Sequence, residues 1–307
     1  MCEKVGLRVR FSLKSNNKIS GLSLVELLVA STISLLVIGM SVTVFASAKK
    51  NYVAVSTSVK ANVDQLNVKR ILYKSVRTAG ISCSYGTSLA SFHNSTSDTI
   101  AANSFLLDSS NIQVGNVSSL AGKLDNPGIT YEPNTNYIMV KTETGSSKLA
   151  NKVNNLNVEL ESSDDLSDGD YLALCSDDSV DLVKVESENS SSNIVKLVQD
   201  PSNSYNAGDY AGKYQIETFY TANTGEVDEN GQAIYALYMH IQDGQNTKNE
   251  ELVEGIKDLK VKSANVSGSS VTWNSITSDQ NFDRSDTKAL QVEFTLNGKS
   301  YKKTIFL

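Results

Sequence analysis

Between Glu26 and Lys49 the chain carries no charged residue, and Leu, Val, Ile, Ala, Ser and Thr make up most of the run. Backbone N–H and C=O groups placed in lipid have no water to bond, so a single apolar segment crosses a bilayer only as a helix. At about 1.5 Å per residue this stretch reaches roughly 30 Å, the thickness of a hydrocarbon core. Lys49 and Lys50 close the run, and Lys4, Arg8, Arg10, Lys14 and Lys18 precede it. By the positive-inside rule, that basic leader belongs on the cytoplasmic side and the rest of the chain beyond the membrane.

Glu26 breaks the apolar pattern near its start. A carboxylate in lipid is expensive and is read first as a functional group. It stands at the fifth position after Gly21. If the chain is cut between Gly21 and Leu22, the new α-amine places a positive charge at the same end of the helix. A Glu one turn in can neutralise such an amine on a neighbouring copy, and the pair then sets the axial register between subunits.

Gly21, Leu22, Ser23-Leu24-Val25, Glu26 and Leu27-Leu28-Val29 resemble the class III signal of type IV prepilins. The resemblance implies cleavage between Gly21 and Leu22 by a prepilin peptidase, N-methylation of Leu22, and subunit docking through Glu26. The family most often has Phe or Met where Leu22 stands. Two other readings compete. An ordinary secretory signal would use Ala46-Ser47-Ala48 as its cleavage site, but its apolar core would be long and would carry Glu26. A plain single-pass anchor explains the length and flanking lysines, but neither Gly21 nor Glu26.

The leader to Gly21 has a net charge of +4, so its removal takes the formal charge from −6 to −10. An acidic body lacks the Lys/Arg stripes that phosphate binding needs, and no nucleic-acid partner is expected. Of the three cysteines, Cys2 leaves with the leader. Cys83 and Cys175 then read as one disulfide in an oxidising compartment, with two free buried thiols as the alternative.

From Asn51 the chain continues without Pro or Gly until Gly80. Tyr52, Val55, Val59, Val63, Leu66, Tyr73 and Val76 recur at mostly helical spacing, predicting an amphipathic helix that prolongs the anchor and lays this face on the remainder of the chain. Gly80 is a suitable stop. From Ser82 onward the composition turns to Ser, Asn, Asp, Thr and Gly with short β-prone runs. Strands are expected at 137–141, 153–160, 171–175, 180–186, 194–198, 214–220, 233–241, 259–263, 290–296 and 301–307. Asn297-Gly298 marks a hairpin, 214–241 a second one with an acidic tip, and 82–126 an irregular connection.

The expected fold class is α+β, with a long N-terminal helix packed on an antiparallel sheet domain, as in pilins. Its divisions are a leader at 1–21, a membrane and filament-core helix at 22–48, an amphipathic helix at 49–80, and a β-rich domain at 81–307. Further motifs resemble the PilW-type minor pilins. These are Arg77-Thr78-Ala79-Gly80-Ile81-Ser82-Cys83, then Gly169-Asp170-Tyr171-Leu172-Ala173-Leu174-Cys175, then Ile234–Tyr238 followed by Glu251–Val261. The order Cys175-Ser176-Asp177 departs from that family's usual Asp-Cys. The resemblance implies a low-abundance subunit that primes type IV pilus assembly or sits at the tip. Its partners would be prepilin peptidase, major and minor pilins, the assembly platform and a large tip adhesin. It would reside in the bacterial inner membrane before entering the filament. A large tip pseudopilin of type II secretion is the near alternative, and an anchored or secreted binding module the distant one.

No enzyme is expected. His93 and His240 sit in no catalytic motif, and no nucleophile–base pair stands out. Glu226, Asp228 and Asn230 echo the start of a calcium loop, but Glu replaces the first ligand and Leu237 stands where the closing acid is needed. Asp164, Asp165, Asp168 and Asp170 form a second acidic cluster, read as a solvated loop. No cofactor is expected.

Overall fold

The computed structural model describes residues 23–80, 91–96, 110–121, 123–124, 128–163, 166–189, 191–244, 246–282 and 287–307. The chain forms two compact units, Met1–Val59 and Lys60–Leu307. Helix α1, Leu24–Arg77, supplies all the regular structure described in the first unit and the opening element of the second. It contains no proline, begins beside Glu26 and ends with Lys74 and Arg77 in its last turn, the charge order that a helix dipole favours.

In the second unit, Val68, Leu72 and Val76 are 0–1% exposed, and Ala79 just beyond the helix is also buried. A spacing of four residues keeps them on one side of the helix. This corrects the expected apolar face. Val63, Leu66 and Tyr73 are 49%, 62% and 41% exposed, and Tyr52, Val55 and Val59 are exposed as well. Of the expected set, Val76 alone is buried. Arg70 interrupts the expected row, and the row that meets the core is offset from it. Past the helix, the Gly80 N–H donates to the Lys141 carbonyl at 2.8 Å. Gly80 has φ +117°, and Asn111 lies 3.0 Å from where a Cβ would stand, so this exit suits only glycine.

The strands follow in order: β1 Ser91–Ser95, β2 Ile112–Asn116, β3 Asn136–Lys148, β4 Asn157–Glu159, β5 Tyr171–Cys175, β6 Ser179–Asn189, β7 Ile194–Leu197, β8 Tyr210–Val227, β9 Ala233–Asp243, β10 Asn246–Glu254, β11 Ile256–Ser267, β12 Ser270–Ser275, β13 Gln280–Phe282, β14 Ala289–Leu296 and β15 Lys299–Phe306. Eleven of them form one sheet. Its main path is β13-β2-β3-β8-β5-β6-β7-β4, with β9 and β10 joined through β8 and β1 joined to β6. Four form a second sheet, β12-β11-β14-β15. All pairings are antiparallel except β1 with β6.

Strand β8 is the hub. One edge pairs with β3 from Tyr210 to Phe219. The other edge pairs with β5 over Tyr210–Tyr214, and with β9 from Ile216 onward. Side-chain alternation then sorts the interior. Ile138 and Val140 of β3 face the core that receives α1, while Tyr137 and Met139 face a second cluster. Leu172 and Leu174 of β5, with Val183 and Val185 of β6, enter a third cluster closed by Val158, Val195, Leu197 and Tyr205. Both faces of β5 and of the first part of β6 are therefore buried, which is why they read as continuous apolar runs.

Asn297 and Gly298 take φ of 50° and 73° and close β14 on β15, the left-handed pair that a two-residue hairpin turn needs. Other expectations change. The stretch 82–126 holds β1, β2 and a 3-10 turn at Val117–Leu120. Strand β1, Ser-Phe-His-Asn-Ser, has no strand pattern of its own and exists through its pairing with β6. The expected strand 153–160 contracts to Asn157–Glu159, because Asn155 turns left-handed at φ 53°. Strands β10, β12 and β13 were not expected. Leu72→Ala should cost about 2–5 kcal/mol of stability in chemical denaturation, while Leu66→Ala should change it by less than about 0.5 kcal/mol.

Candidate functional site: the exposed N-terminal helix

The first unit offers one chemically unusual surface, the helix from Leu24 to Val59. Leu24, Leu27, Leu35, Met40, Val44 and Phe45 are each more than 60% exposed, and the residues between them are exposed too. Apolar residues occupy every side of this segment, unlike the one-sided stripe of a surface helix. At mean hydropathy 2.2 over its most apolar window, it is long and apolar enough to cross a membrane.

Several of its hydroxyl side chains are turned back on the backbone. Ser31 and Thr32 donate to the Leu28 carbonyl at 2.9 Å, Ser34 to Ala30 at 2.8 Å, Ser41 to Val37 at 2.7 Å and Thr43 to Met40 at 2.8 Å. These five hydroxyl protons are satisfied within the helix, so they require no partner in an apolar surrounding.

Glu26 lies in the first turn, where its Oε2 accepts the Ser23 N–H at 3.1 Å. Ser23-Leu24-Val25-Glu26 thus makes the carboxylate half of a capping box. The acid satisfies an N–H that would otherwise be orphaned, and it meets the positive end of the helix dipole. A carboxylate at this spot is ready to accept a hydrogen bond or a cation at the head of an otherwise apolar rod. Gly21 and Leu22 lie outside the described residues.

The other expected site residues lie elsewhere. Cys175 is fully buried on β5 and disulfide-bonded; Cys83 lies outside the described residues. Glu226 is the last residue but one of β8, and Asp228 and Asn230 form the exposed turn to β9. There Asp228 Oδ1 accepts the N–H groups of Asn230 and Gln232 at 2.9 and 2.8 Å. That oxygen closes the turn, which accounts for the acid without calcium. Among the described residues, no group of three or more His, Cys, Asp and Glu gathers as metal ligands. Asp164 and Asp165 lie outside the described residues. Asp168 lies in an exposed turn and accepts the Glu188 N–H at 2.9 Å, whereas Asp170 is buried in an ion pair and is structural, not part of a solvated loop. His93 is exposed on β1, and His240 is buried within β9.

The sequence did not reveal two charged clasps in the β domain. Where β8 passes from β5 to β9, Lys213 Nζ bridges Asp170 Oδ2 at 2.9 Å and Asp243 Oδ2 at 3.1 Å. Burial pulls the Lys213 ammonium down, but hydrogen bonds and charges from the two carboxylates outweigh it and hold the group above its ordinary 10.5. Near the edge, Lys123 Nζ meets Asp279 Oδ2 at 2.5 Å and the Tyr137 hydroxyl at 3.0 Å, while Ser119 donates to Asp279 Oδ1 at 2.7 Å. Burial pushes the Asp279 carboxyl up, but the bonds from Lys123 and Ser119 prevail and hold it below 3.8. Alternating charge in sequence carries no sign of such pairs, since their members lie far apart along the chain.

The fold is therefore α+β, one long apolar N-terminal helix with a large antiparallel β domain. Compared with protein-family models, with curated proteins and with solved structures, the chain matches none.

Lys213→Met leaves Asp170 buried without its cation and should destabilise the domain by about 3–5 kcal/mol in urea unfolding. The stabilisation from Lys213 should be complete below pH 10.5, the ordinary value of the amine, and vanish as pH rises through its higher folded value. Asp279 behaves oppositely. Its contribution should be complete above pH 3.8 and be lost as pH falls through the lower folded value, a slope that Asp279→Asn removes.

Proposed function

We propose that this chain is a pilin-type filament subunit. Its basic leader stays on the cytoplasmic side, a prepilin peptidase cuts between Gly21 and Leu22, and Leu22 is N-methylated. The helix then leaves the inner membrane to pack among the helices of other pilins. The observation that carries this reading is an exposed helix apolar on every side, with a carboxylate in its first turn, five residues after Gly21. Apolar surface left in water costs about 25 cal/mol per Å², so this segment needs lipid or partner helices around it.

Glu26 has a specific task in this mechanism. In the uncut chain it caps its own helix through Ser23. After cleavage the Leu22 amine becomes a cation at the same end, and the carboxylate of an incoming subunit pairs with it as both leave water. Unpaired, either charge is costly to bury, so the pair admits one axial position. The late motifs at 169–175, 234–238 and 251–261 support placement among PilW-type minor pilins, which prime assembly or stand near the tip.

The test is the N-terminus of the membrane-extracted protein, read by intact mass with and without active prepilin peptidase. A start at Leu22 carrying one added methyl, dependent on the peptidase, is expected. A start just past Ala48, or an uncut chain, would overturn the reading and favour an anchored or secreted binding module. Glu26→Ala should still be cut, because Glu26 is not at the Gly21–Leu22 bond itself, yet fail to enter filaments. Recovery of this variant in sheared filaments at the wild-type level would remove Glu26 from docking. Loss of surface pili on deletion, against loss of protein secretion, separates a pilus from a type II secretion pseudopilus.

A further inference from the structure

The hairpin of β11 and β12 carries its side chains in an order opposite to the rest of its sheet. Along β11, Val261 enters the core, so by alternation Lys262, Ala264 and Val266 take the opposite face. The register sets Trp273 across from Ala264 and Val271 across from Val266. That outer face is therefore apolar, and Val266 and Val271 are 49% and 52% exposed. Asn265, Thr272 and Asn274 take the other side.

Among the described residues, strand β12 is also an edge, since it pairs only with β11 there. Natural edges are usually blunted with charge, and two other edges here, β10 and β15, follow that rule. Strand β10 carries Lys248, Glu250, Glu251 and Glu254, and β15 carries Lys299, Lys302 and Lys303. From Ser263 to Ser278 there is no charged residue and no proline. Gly268 and Ser269 form the turn between Ser267 and Ser270. Alternation of the ladder then gives Ser270, Thr272 and Asn274 the hydrogen bonds to β11 and turns the backbone groups of Val271 and Trp273 to the open edge.

We propose that β12 pairs antiparallel with β12 of a second copy, about a two-fold axis at Thr272. This register joins the outward backbone groups of Val271 to those of Trp273 in the second copy, and the reverse. Each Val271 then stands across from a Trp273 on the apolar face, an aromatic–β-branched pair of the kind that stabilises sheets. Thr272 meets Thr272, and Ser270 meets Asn274. A shift of one residue sets outward groups against inward ones, so the strand is self-complementary only in steps of two. Neutrality matters here, because the mature chain is acidic and copies repel elsewhere. A six-residue edge buries less than the roughly 1,200 Å² of a stable interface, so pairing is weak and forms where copies are concentrated in a membrane.

The full chain in lipid vesicles tests this under mild oxidation. Thr272→Cys places the sulfurs across the axis at a non-hydrogen-bonded pair, a spacing that a disulfide can bridge. Cross-linked dimer is expected well above that of the wild type, which keeps the native cysteines, and above that of Ser267→Cys. Adding Val271→Lys should lower it roughly tenfold. Trp273, the single Trp of the chain, should shift its emission to the blue as the protein-to-lipid ratio rises. Dimer at the wild-type level, equal dimer at Ser267→Cys, or insensitivity to Val271→Lys would overturn the proposal. So would cross-linking of Thr272→Cys in cells to a different protein in place of itself.

Discussion

The β domain depends on one shared core. Val68, Leu72, Val76 and Ala79 meet β2 and β3 of the large sheet through Ile112, Val114, Ile138 and Val140, and the small sheet through Val261, Val292, Phe294 and Ile305. A helix and two sheets thus bury their apolar sides in a single cluster. None of the three has another place to put these residues, since the opposite faces of β3 and β8 are already committed to the second cluster. The end of α1 is then as much a part of the β domain as any strand. Ladder-like contacts reinforce it. The Lys69 ammonium lies 5.2 Å from the centre of the Tyr301 ring, Lys303 lies 5.0 Å from that of Tyr73, and Arg77 donates to the Phe306 carbonyl at 3.2 Å.

The same helix obeys two different rules along its length. Up to Ala48 its surface is exposed and uncharged beyond Glu26, and from Val68 onward one side is buried against protein. The sequence announces the first rule openly, as a long uncharged run ending at Lys49. It announces the second poorly. The row through Val55, Val59, Val63 and Leu66 is as apolar as the row through Val68, Leu72 and Val76. Periodicity identifies a helix with apolar rows but does not say which row meets a core, because that is decided by residues of β2, β11 and β14 far along the chain.

Strand legibility divides along similar lines. The segments 171–175, 194–197 and 290–296 are short apolar or alternating runs between turn residues, and their positions follow from local pattern. Strands β1 and β10 are polar sequences that extend because a neighbour offers a ladder, so their own residues carry little signal. The full length of β8 was hidden by Ala211, Gly212 and the Thr-Gly-Glu-Val end, which look like loop. Of the candidate site, Glu26 and the apolar run were plain in the sequence. The return of Ser31, Thr32, Ser34, Ser41 and Thr43 to the backbone was not, and neither were the Lys213 and Lys123 clasps, which need three-dimensional neighbours to exist.

Strand β8 has a consequence for the order in which the molecule can be made. Its two edges are taken by strands that arrive both earlier, β3 and β5, and later, β9. The core that receives α1 is completed by β14 and β15, which supply Leu290, Val292, Phe294 and Ile305. Synthesis runs from the N-terminus, so Val68, Leu72 and Val76 emerge first and are covered last. Through that interval the earliest apolar residues of the domain are bare, and every closing contact spans most of its length. Such topologies fold slowly, because distant segments must be brought together before any contact rewards them. The domain therefore stays unfinished until β14 and β15 appear.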